Sequence, residues 1–579
     1  MRKFLSSLIA GLGNVFRVEQ ATGLLRQATS LPCVRVAGCH PQRAGSPFYP
    51  FAKQTLVVLF ALVLAGCTMI PKYHQPTADI SPTWPEAPAQ AKGPTNAMAA
   101  ADIGWREFFR DPRLQRLIEL ALTNNLDLRM AMLNVDQTRA LYHVQRNALV
   151  PTVSINANGT RQRTINIYGG PSTNGTTGFT YSLYNVNLGV ASYELDLFGK
   201  LRSLKRQALE TYFATEEARK SAQIALVAEV GAAYLTEREL TEQLNVARQS
   251  LRAARDVYDL TKRSYEAGVR SELDLNAAEV QLQTTRDSVA GYEQQLAQAE
   301  DNLVLLVGGP LPADLPPPQP FDSQISLADI PAGLPSDLIA RRPDIFAAEH
   351  QLKAANANIG AARAAFFPTV TLTGSAGTAS TTLEALFAPG SQAWGFSPQI
   401  VWPIFAAGTA WNELKATEAA ERIEVANYQK VIQTAFREVA DSLAVRTTVQ
   451  TQLAANQALV RADQQIYRLT QARFRNGIDS SVDVLNAQQN LDAARQNLIQ
   501  SRYSRLFNLI NLYQALGGGW QEHSPQATNR LSGLSSPVSD HPSLAGTREG
   551  SRAGAELDKD RPAAEPASRG EAAGEPVEN

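Results

Sequence analysis

Tyr265-Glu266-Ala267-Gly268-Val269-Arg270-Ser271-Glu272-Leu273-Asp274 returns, without a gap, as Phe474-Arg475-Asn476-Gly477-Ile478-Asp479-Ser480-Ser481-Val482-Asp483. An aromatic, a glycine, an aliphatic, a serine, an aliphatic and an aspartate recur in register, the signature of an internal duplication. Further upstream, Ala148-Leu149-Val150-Pro151-Thr152-Val153 is answered by Ala365-Phe366-Phe367-Pro368-Thr369-Val370. The chain is therefore two copies of one unit.

Working outward from the glycines, residues 410–476 contain neither glycine nor proline, and 201–266 contain one glycine. At ~1.5 Å per residue each stretch predicts a helix of roughly 100 Å, longer than any compact domain is wide. Apolar residues step by threes and fours, as in Ile432, Phe436, Val439 and Leu443, the spacing of a coiled-coil seam. Gly268 and Gly477 end these helices and open turns into second helices, Leu273 to Val307 and Val482 to Leu516, so the turns are hairpin tips. Shorter helical stretches, Leu114 to Leu149 and Leu338 to Phe367, run into Pro151 and Pro368. Alternation follows at once. Val153, Ile155 and Ala157 oppose Ser154, Asn156 and Asn158; Tyr184, Val186, Leu188 and Val190 oppose Asn185, Asn187 and Gly189. The second copy repeats the period with Val370 and Leu372, then Ile400, Trp402 and Ile404. Turn chemistry at 169–175 and 388–391 makes each pair a hairpin. Four strands with one apolar face cannot close a membrane barrel alone, because such barrels begin at ~8 strands and open edges are excluded from lipid. Several chains must share one barrel, with Asn, Ser, Thr and Gly toward a wet lumen and Tyr184, Trp394, Phe396 and Trp402 outward.

Composition excludes other classes. Lys plus Arg (54) balances Asp plus Glu (55), so nucleic acid is not an expected partner. All three cysteines (Cys33, Cys39, Cys67) precede residue 68, which removes disulfides, zinc fingers and cysteine nucleophiles from the body of the chain. Six histidines (His40, His74, His143, His350, His523, His541) form no metal-ligand spacing, and no phosphate loop or nucleophile elbow occurs. His143 and His350 read as helix-face residues, and the carboxylates of the long helices as solvated faces. No enzyme is expected.

Lys53, the apolar run 56–63 and Leu64-Ala65-Gly66-Cys67 form a lipoprotein signal whose box makes Cys67 the acylated first residue of the mature chain. The similar string Val36-Ala37-Gly38-Cys39 follows Pro32, Cys33 and Arg35 rather than an apolar run, and is discarded. Thr68, not Asp, follows Cys67, which points to outer-membrane sorting. No cofactor is expected other than covalent diacylglycerol and N-palmitoyl lipid on Cys67.

These residues resemble the TolC-like outer-membrane efflux factors, in particular OprM/NodT-type lipoproteins of resistance-nodulation-division efflux systems. The strings that carry the resemblance are Cys67 to Pro76, Gly104 to Leu114, Tyr193-Glu194-Leu195-Asp196-Leu197-Phe198-Gly199-Lys200, Arg341-Arg342-Pro343-Asp344-Ile345 and Leu516-Gly517-Gly518-Gly519-Trp520. The resemblance implies a mainly α fold with membrane β: a homotrimeric conduit with four barrel strands per protomer above an α-barrel of long antiparallel helices. It implies an outer-membrane, lipid-anchored channel passing drugs or other small amphiphilic compounds from a periplasmic adaptor and an inner-membrane transporter to the exterior. The organisation expected is a signal and extension (1–66), an acylated segment (67–107), two efflux repeats (108–309 and 336–520), a Pro-rich linker (310–335) and a disordered tail (521–579). The aperture is implied at the tips: Asp483, with Asp274, Phe474, Asp479 and Asn486. Asp483 and Asp274 also fall in first helical turns, so capping and a carboxylate ring are both open. Relatives that latch this turn use a tyrosine and an arginine where this chain has Phe474 and Asp479, so that latch is not carried over. A periplasmic coiled-coil scaffold lipoprotein is the rival reading, and it leaves the alternating hairpins without purpose.

Overall fold

The structure, a computed structural model, describes residues 68–77, 79–82, 84, 100–165, 178–319, 340–405 and 408–524. Cys67, the 1–66 extension, the 169–175 turn, most of the linker and residues 525–579 lie outside them. The first copy comprises α1 (Trp105–Phe108), α2 (Pro112–Asn124), α3 (Leu126–Asn147), β1 (Val153–Ile165), β2 (Gly178–Leu195), α4 (Lys200–Glu266) and α5 (Glu272–Val307). The second comprises α6 (Pro343–Ala364), β3 (Thr369–Ser380), β4 (Gln392–Val401), α7 (Thr409–Arg475) and α8 (Ser481–Ala515). Each of α4 and α7 is one unbroken helix of 67 residues.

One helix departs from the sequence expectation. The stretch Leu114 to Leu149 divides at Asn125, which closes α2 and caps α3 by accepting from the Leu128 amide at 2.9 Å. An Asn side chain offers the backbone this alternative to continued helix. Its amide also donates to the Leu306 carbonyl at 2.9 Å, so α2 and α3 are set against the end of α5.

The two hairpins join into one antiparallel sheet of order β1-β2-β3-β4. Its register collects the apolar positions on one face: Ile155, Leu188, Ala376 and Trp394 form one row, and Leu195, Val370 and Ile400 another. Asn156, Asn187 and Gly377 lie in a row of the opposite face. Between Val190 and Tyr193 a bulge shifts the pairing by one residue, with Ser192 at φ 55° and its amide donating to Thr373 Oγ1 at 3.2 Å. Without that extra residue Tyr193 and Leu195 would turn to the polar face. Both β-to-α junctions run through a left-handed glycine, Gly199 (φ 77°) and Gly408 (φ 82°). The first junction is braced by Asp196, which accepts from the Leu201 and Arg202 amides at 3.1 and 3.0 Å and from the Arg202 guanidinium at 2.9 Å.

The copies interlock instead of sitting end to end. α6 packs on α4 of the other copy as well as on α7, and α8 packs on both α7 and α4. Their junction holds the main core, where Trp105, Phe108, Phe109, Leu114 and Ile118 meet Val230, Tyr234, Ile510 and Tyr513. Phe108 stacks on Tyr513 with ring centres 3.9 Å apart, and the Tyr513 hydroxyl donates to the Ile103 carbonyl at 2.6 Å. Gly518 lies under that ring: a Cβ there would come within 2.2 Å of it. Asp111, fully buried, caps α2 through the Arg113 amide at 2.8 Å and accepts from the Tyr234 hydroxyl at 2.7 Å.

Order extends past Trp520, contrary to the expectation of a disordered tail from residue 521. The Gln521 carbonyl accepts from the Trp105 amide at 2.9 Å, Glu522 pairs with Arg106 at 2.7 Å, and Ser524 Oγ accepts from the Gly104 amide at 3.0 Å. A segment lacking aromatics is held here by backbone and ionic contacts that no composition argument weighs. At the other end, residues 70–77 run along the second copy. Tyr73 donates to Glu349 at 3.2 Å, Gln75 to the Tyr428 hydroxyl at 2.9 Å, and Asn356 to the Pro71 carbonyl at 3.0 Å.

Two helix carboxylates correct the expectation of solvated faces. Glu210, 1 % exposed, pairs with Arg206 at 2.5 Å and with His350 at 2.7 Å, so His350 is likewise no bystander on its helix. Glu239, 7 % exposed, accepts from Gln243 at 2.8 Å, and burial pushes its carboxyl from 4.5 up to about 7. Because the folded chain holds this proton more tightly than the unfolded chain, the stability tied to it is full at low pH and is lost as pH rises through 7. Glu239→Gln is therefore expected to raise thermal stability by roughly 1–3 kcal/mol at about pH 8 and to change little at about pH 5. A pH-independent difference in melting midpoint would refute that account.

Candidate aperture at the helical tips

The tips repeat one local design twice. At the first, the Val269 amide donates to the Ser264 carbonyl and Gly268 to Tyr265; at the second, Ile478 donates to Arg473 and Gly477 to Phe474. This double closure needs a left-handed residue, supplied by Gly268 (φ 73°) and Gly477 (φ 76°). The next helix opens with a capping box. Ser271 and Asp274 bond reciprocally at the start of α5, as do Ser480 and Asp483 at the start of α8. Glycine, serine and aspartate recur at fixed spacing because each fills one position of this turn.

The two aspartates then diverge. Asp274 takes the Ser271 hydroxyl at 2.7 Å on one oxygen and, on the other, the Ser481 hydroxyl at 3.1 Å, which ties the first tip to the second. These hydroxyl contacts, the Ser271 one foremost, hold its carboxyl below the usual range. Asp483 takes the Ser480 hydroxyl at 2.6 Å and amide at 2.9 Å on Oδ2, and Oδ1 has no protein donor among the described residues. The Ser480 hydroxyl, then its amide, hold the Asp483 carboxyl low, so it stays charged while facing water. Asn486, three residues on, is exposed on α8.

Phe474 is 7 % exposed and packs on Val257, Ala278, Val484 and Leu485, beneath the tips and not on their surface. Asp479 forms an ion pair with Arg473 at 2.9 Å, while its carbonyl faces an Arg270 N–H at 3.4 Å. The Arg270 guanidinium lies over the Phe474 ring, 5.0 Å from its centre. Arg270, Arg473 and Ser481 were thus missed from the sequence, although one signal existed: Arg270 and Asp479 occupy equivalent places in the two copies with opposite charge. No group of three His, Cys, Asp or Glu suited to a metal occurs among the described residues, and no helix there is long and apolar enough to cross a membrane.

The arrangement joins a sheet with one apolar face and two edges unpaired among the described residues to paired helices ending in carboxylate-bearing tips. Comparison with known proteins agrees. The family described as outer membrane efflux protein matches residues 117–309 and 334–518, one match to each copy. The toluene efflux pump outer membrane protein TtgC of Pseudomonas putida is 48 % identical over 472 residues, covering 82 % of this chain and 96 % of its own. The outer membrane protein OprJ of Pseudomonas aeruginosa is 40 % identical over 466 residues, 80 % of this chain and 95 % of its own. Among solved structures, the open state of the Neisseria gonorrhoeae MtrE outer membrane channel superposes with a TM-score of 0.70 at 38 % identity, covering 79 % of this chain and all of that one. With two matched repeats and near-full-length relatives in hand, the chain belongs to the outer membrane efflux protein family and is the outer-membrane channel component of an efflux system, a transport protein of the TolC-like fold.

Proposed function

We propose that three copies of this chain close one twelve-stranded barrel, β1 of each pairing with β4 of the next, and that their helices form the periplasmic conduit below. The observation that carries this is the four-stranded sheet, apolar on one face and, among the described residues, unpaired at the outer edges of β1 and β4, which leads into helices of 67 residues. Open edges do not persist in lipid, so copies of the chain must complete them. The tips then meet a periplasmic adaptor and an inner-membrane resistance-nodulation-division transporter, which supplies energy. Small amphiphilic compounds, including drugs and solvents such as the toluene in the name of TtgC, pass outward through the lumen. Asp483, with Asn486 beside it, lines the aperture; Asp274, Phe474, Asp479, Gly268 and Gly477 shape the tips.

Single cysteines stepped along outward positions of β1 and of β4 are expected to include pairs that cross-link into covalent trimers in native outer membranes, and deletion of the gene is expected to sensitise cells to solvents and amphiphilic drugs. Monomers alone, with unchanged susceptibility, would overturn the proposal.

The same reading makes Cys67 the lipid anchor. Cys67→Ser is expected to abolish palmitate labelling while heat-resistant trimers survive, because Pro71, Tyr73 and Gln75 remain bonded to Asn356 and Glu349 of α6 and Tyr428 of α7. Labelling that persists in the variant would sink the assignment.

A further inference from the structure

Above the apolar band the sheet reverses its polarity. Outward residues of β2 run Leu195, Tyr193, Val190, Leu188, Val186, Tyr184, then change to Ser182 and Thr180; their β1 neighbours change from Val153, Ile155, Ala157 and Gly159 to Arg161 and Arg163. On the opposite face the change is inverse, with Leu183, Tyr181 and Phe179 following Asn187 and Asn185. From Leu195 to Tyr184 the run is roughly 36 Å along the strand, about 27 Å of height at a tilt of about 40°, close to the ~25 Å apolar band of an outer-membrane barrel. Tyr184, its ring against Gly159, marks the upper boundary, as girdle aromatics do. Arg161 and Arg163 therefore stand at headgroup level, at the end of the sheet away from the helices.

Both arginines are exposed, and neither has an ion-pair partner among the described residues. The strands carry one carboxylate, Glu194, at the far end of β2, already paired with Lys200 at 3.2 Å. Gly178 leaves room for the Arg163 side chain against the backbone: a Cβ there would lie 3.0 Å from its Nε. Two unneutralised guanidinium forks at the lipid boundary call for phosphate, which they bind in bidentate fashion.

We propose that Arg161 and Arg163 form a binding site for the phosphate-bearing headgroups of the anionic glycolipid in the outer leaflet. Each arginine near such a surface contributes about fivefold to affinity, so the pair contributes roughly 25-fold.

The test uses the purified full-length channel in detergent micelles, titrated with fluorescent bisphosphorylated lipid A. Wild type is expected to bind saturably, Arg161→Gln/Arg163→Gln roughly 25-fold more weakly, and Arg161→Lys/Arg163→Lys within about tenfold of wild type, since charge is kept and the fork lost. Lipid A stripped of its phosphates should bind wild type as weakly as bisphosphorylated lipid A binds the glutamine variant, and inorganic phosphate in tenfold excess should not displace the lipid. Unchanged affinity in the glutamine variant, equal binding of the stripped lipid, or displacement by inorganic phosphate would each overturn the proposal. If that variant does not assemble, the salt dependence of wild-type binding decides: loss of affinity with rising salt supports the site, and salt-insensitive binding refutes it.

Discussion

Tyr513→Ala is expected to lower the stability of the channel by about 4–8 kcal/mol. Two losses combine. Removing a buried aromatic leaves a cavity beside Phe108 and Phe109, at about 3–5 kcal/mol. The Ile103 carbonyl, which now accepts at 2.6 Å, loses its buried donor at a further ~1–3 kcal/mol. The cost falls where the start of the first copy and the end of the second are fastened together, so assembly should fail along with folding. The observable consequence is loss of heat-resistant oligomers and of outer-membrane protein level. Tyr513→Phe, which keeps the stack, should cost only the hydroxyl's share, about 1–3 kcal/mol. If both variants reduced the melting midpoint equally, the packing account would be wrong and the hydroxyl would dominate.

At the opposite end, Asp483→Asn should abolish most of the channel's cation preference without loosening the tip. Asn retains an oxygen able to accept from the Ser480 amide, so capping persists while the charge is removed. Losing the exposed charges of a carboxylate ring is expected to reduce the cation-to-anion permeability ratio by roughly fivefold or more. The depressed carboxyl of Asp483 fixes the pH behaviour. Its charge, and the stability of the capping bonds, are present above the ordinary carboxylate range and are lost as pH falls through the lowered value. Cation preference should therefore hold from about pH 7 to about pH 5 and disappear in stronger acid. Planar-bilayer recording checks both statements. Asp483→Asn with wild-type selectivity would leave capping as the only role of this carboxylate.

The turn sequence itself explains why the tips were legible. Gly268 and Gly477 are needed at positive φ, and Ser-x-x-Asp is a capping box whichever way the helices pack, so the spacing alone encodes the local structure. The strands were legible for a similar reason: a period of two with one apolar face is set residue by residue. Contacts between the copies were not. Nothing local to Asp274 announces Ser481, nothing local to Phe474 announces burial against Val257 and Ala278, and nothing in residues 521–524 announces a return to Trp105.

The division follows the range of the forces involved. Duplication, helix and strand identities, the tip geometry and an apolar sheet face needing completion were determined by the sequence alone, because each rests on dihedral preference, hydrogen bonding within a few residues, or periodic hydrophobicity. Only the tertiary structure decided that α6 crosses to the first copy's α4, that the Ser192 bulge keeps Tyr193 and Leu195 on the apolar face, that Glu210 and Glu239 are buried, and that Asp274 reaches the second tip through Ser481 while Asp483 bonds within its own tip. Those outcomes depend on which surfaces meet across hundreds of residues, and burial and desolvation are properties of the meeting surfaces, not of either segment.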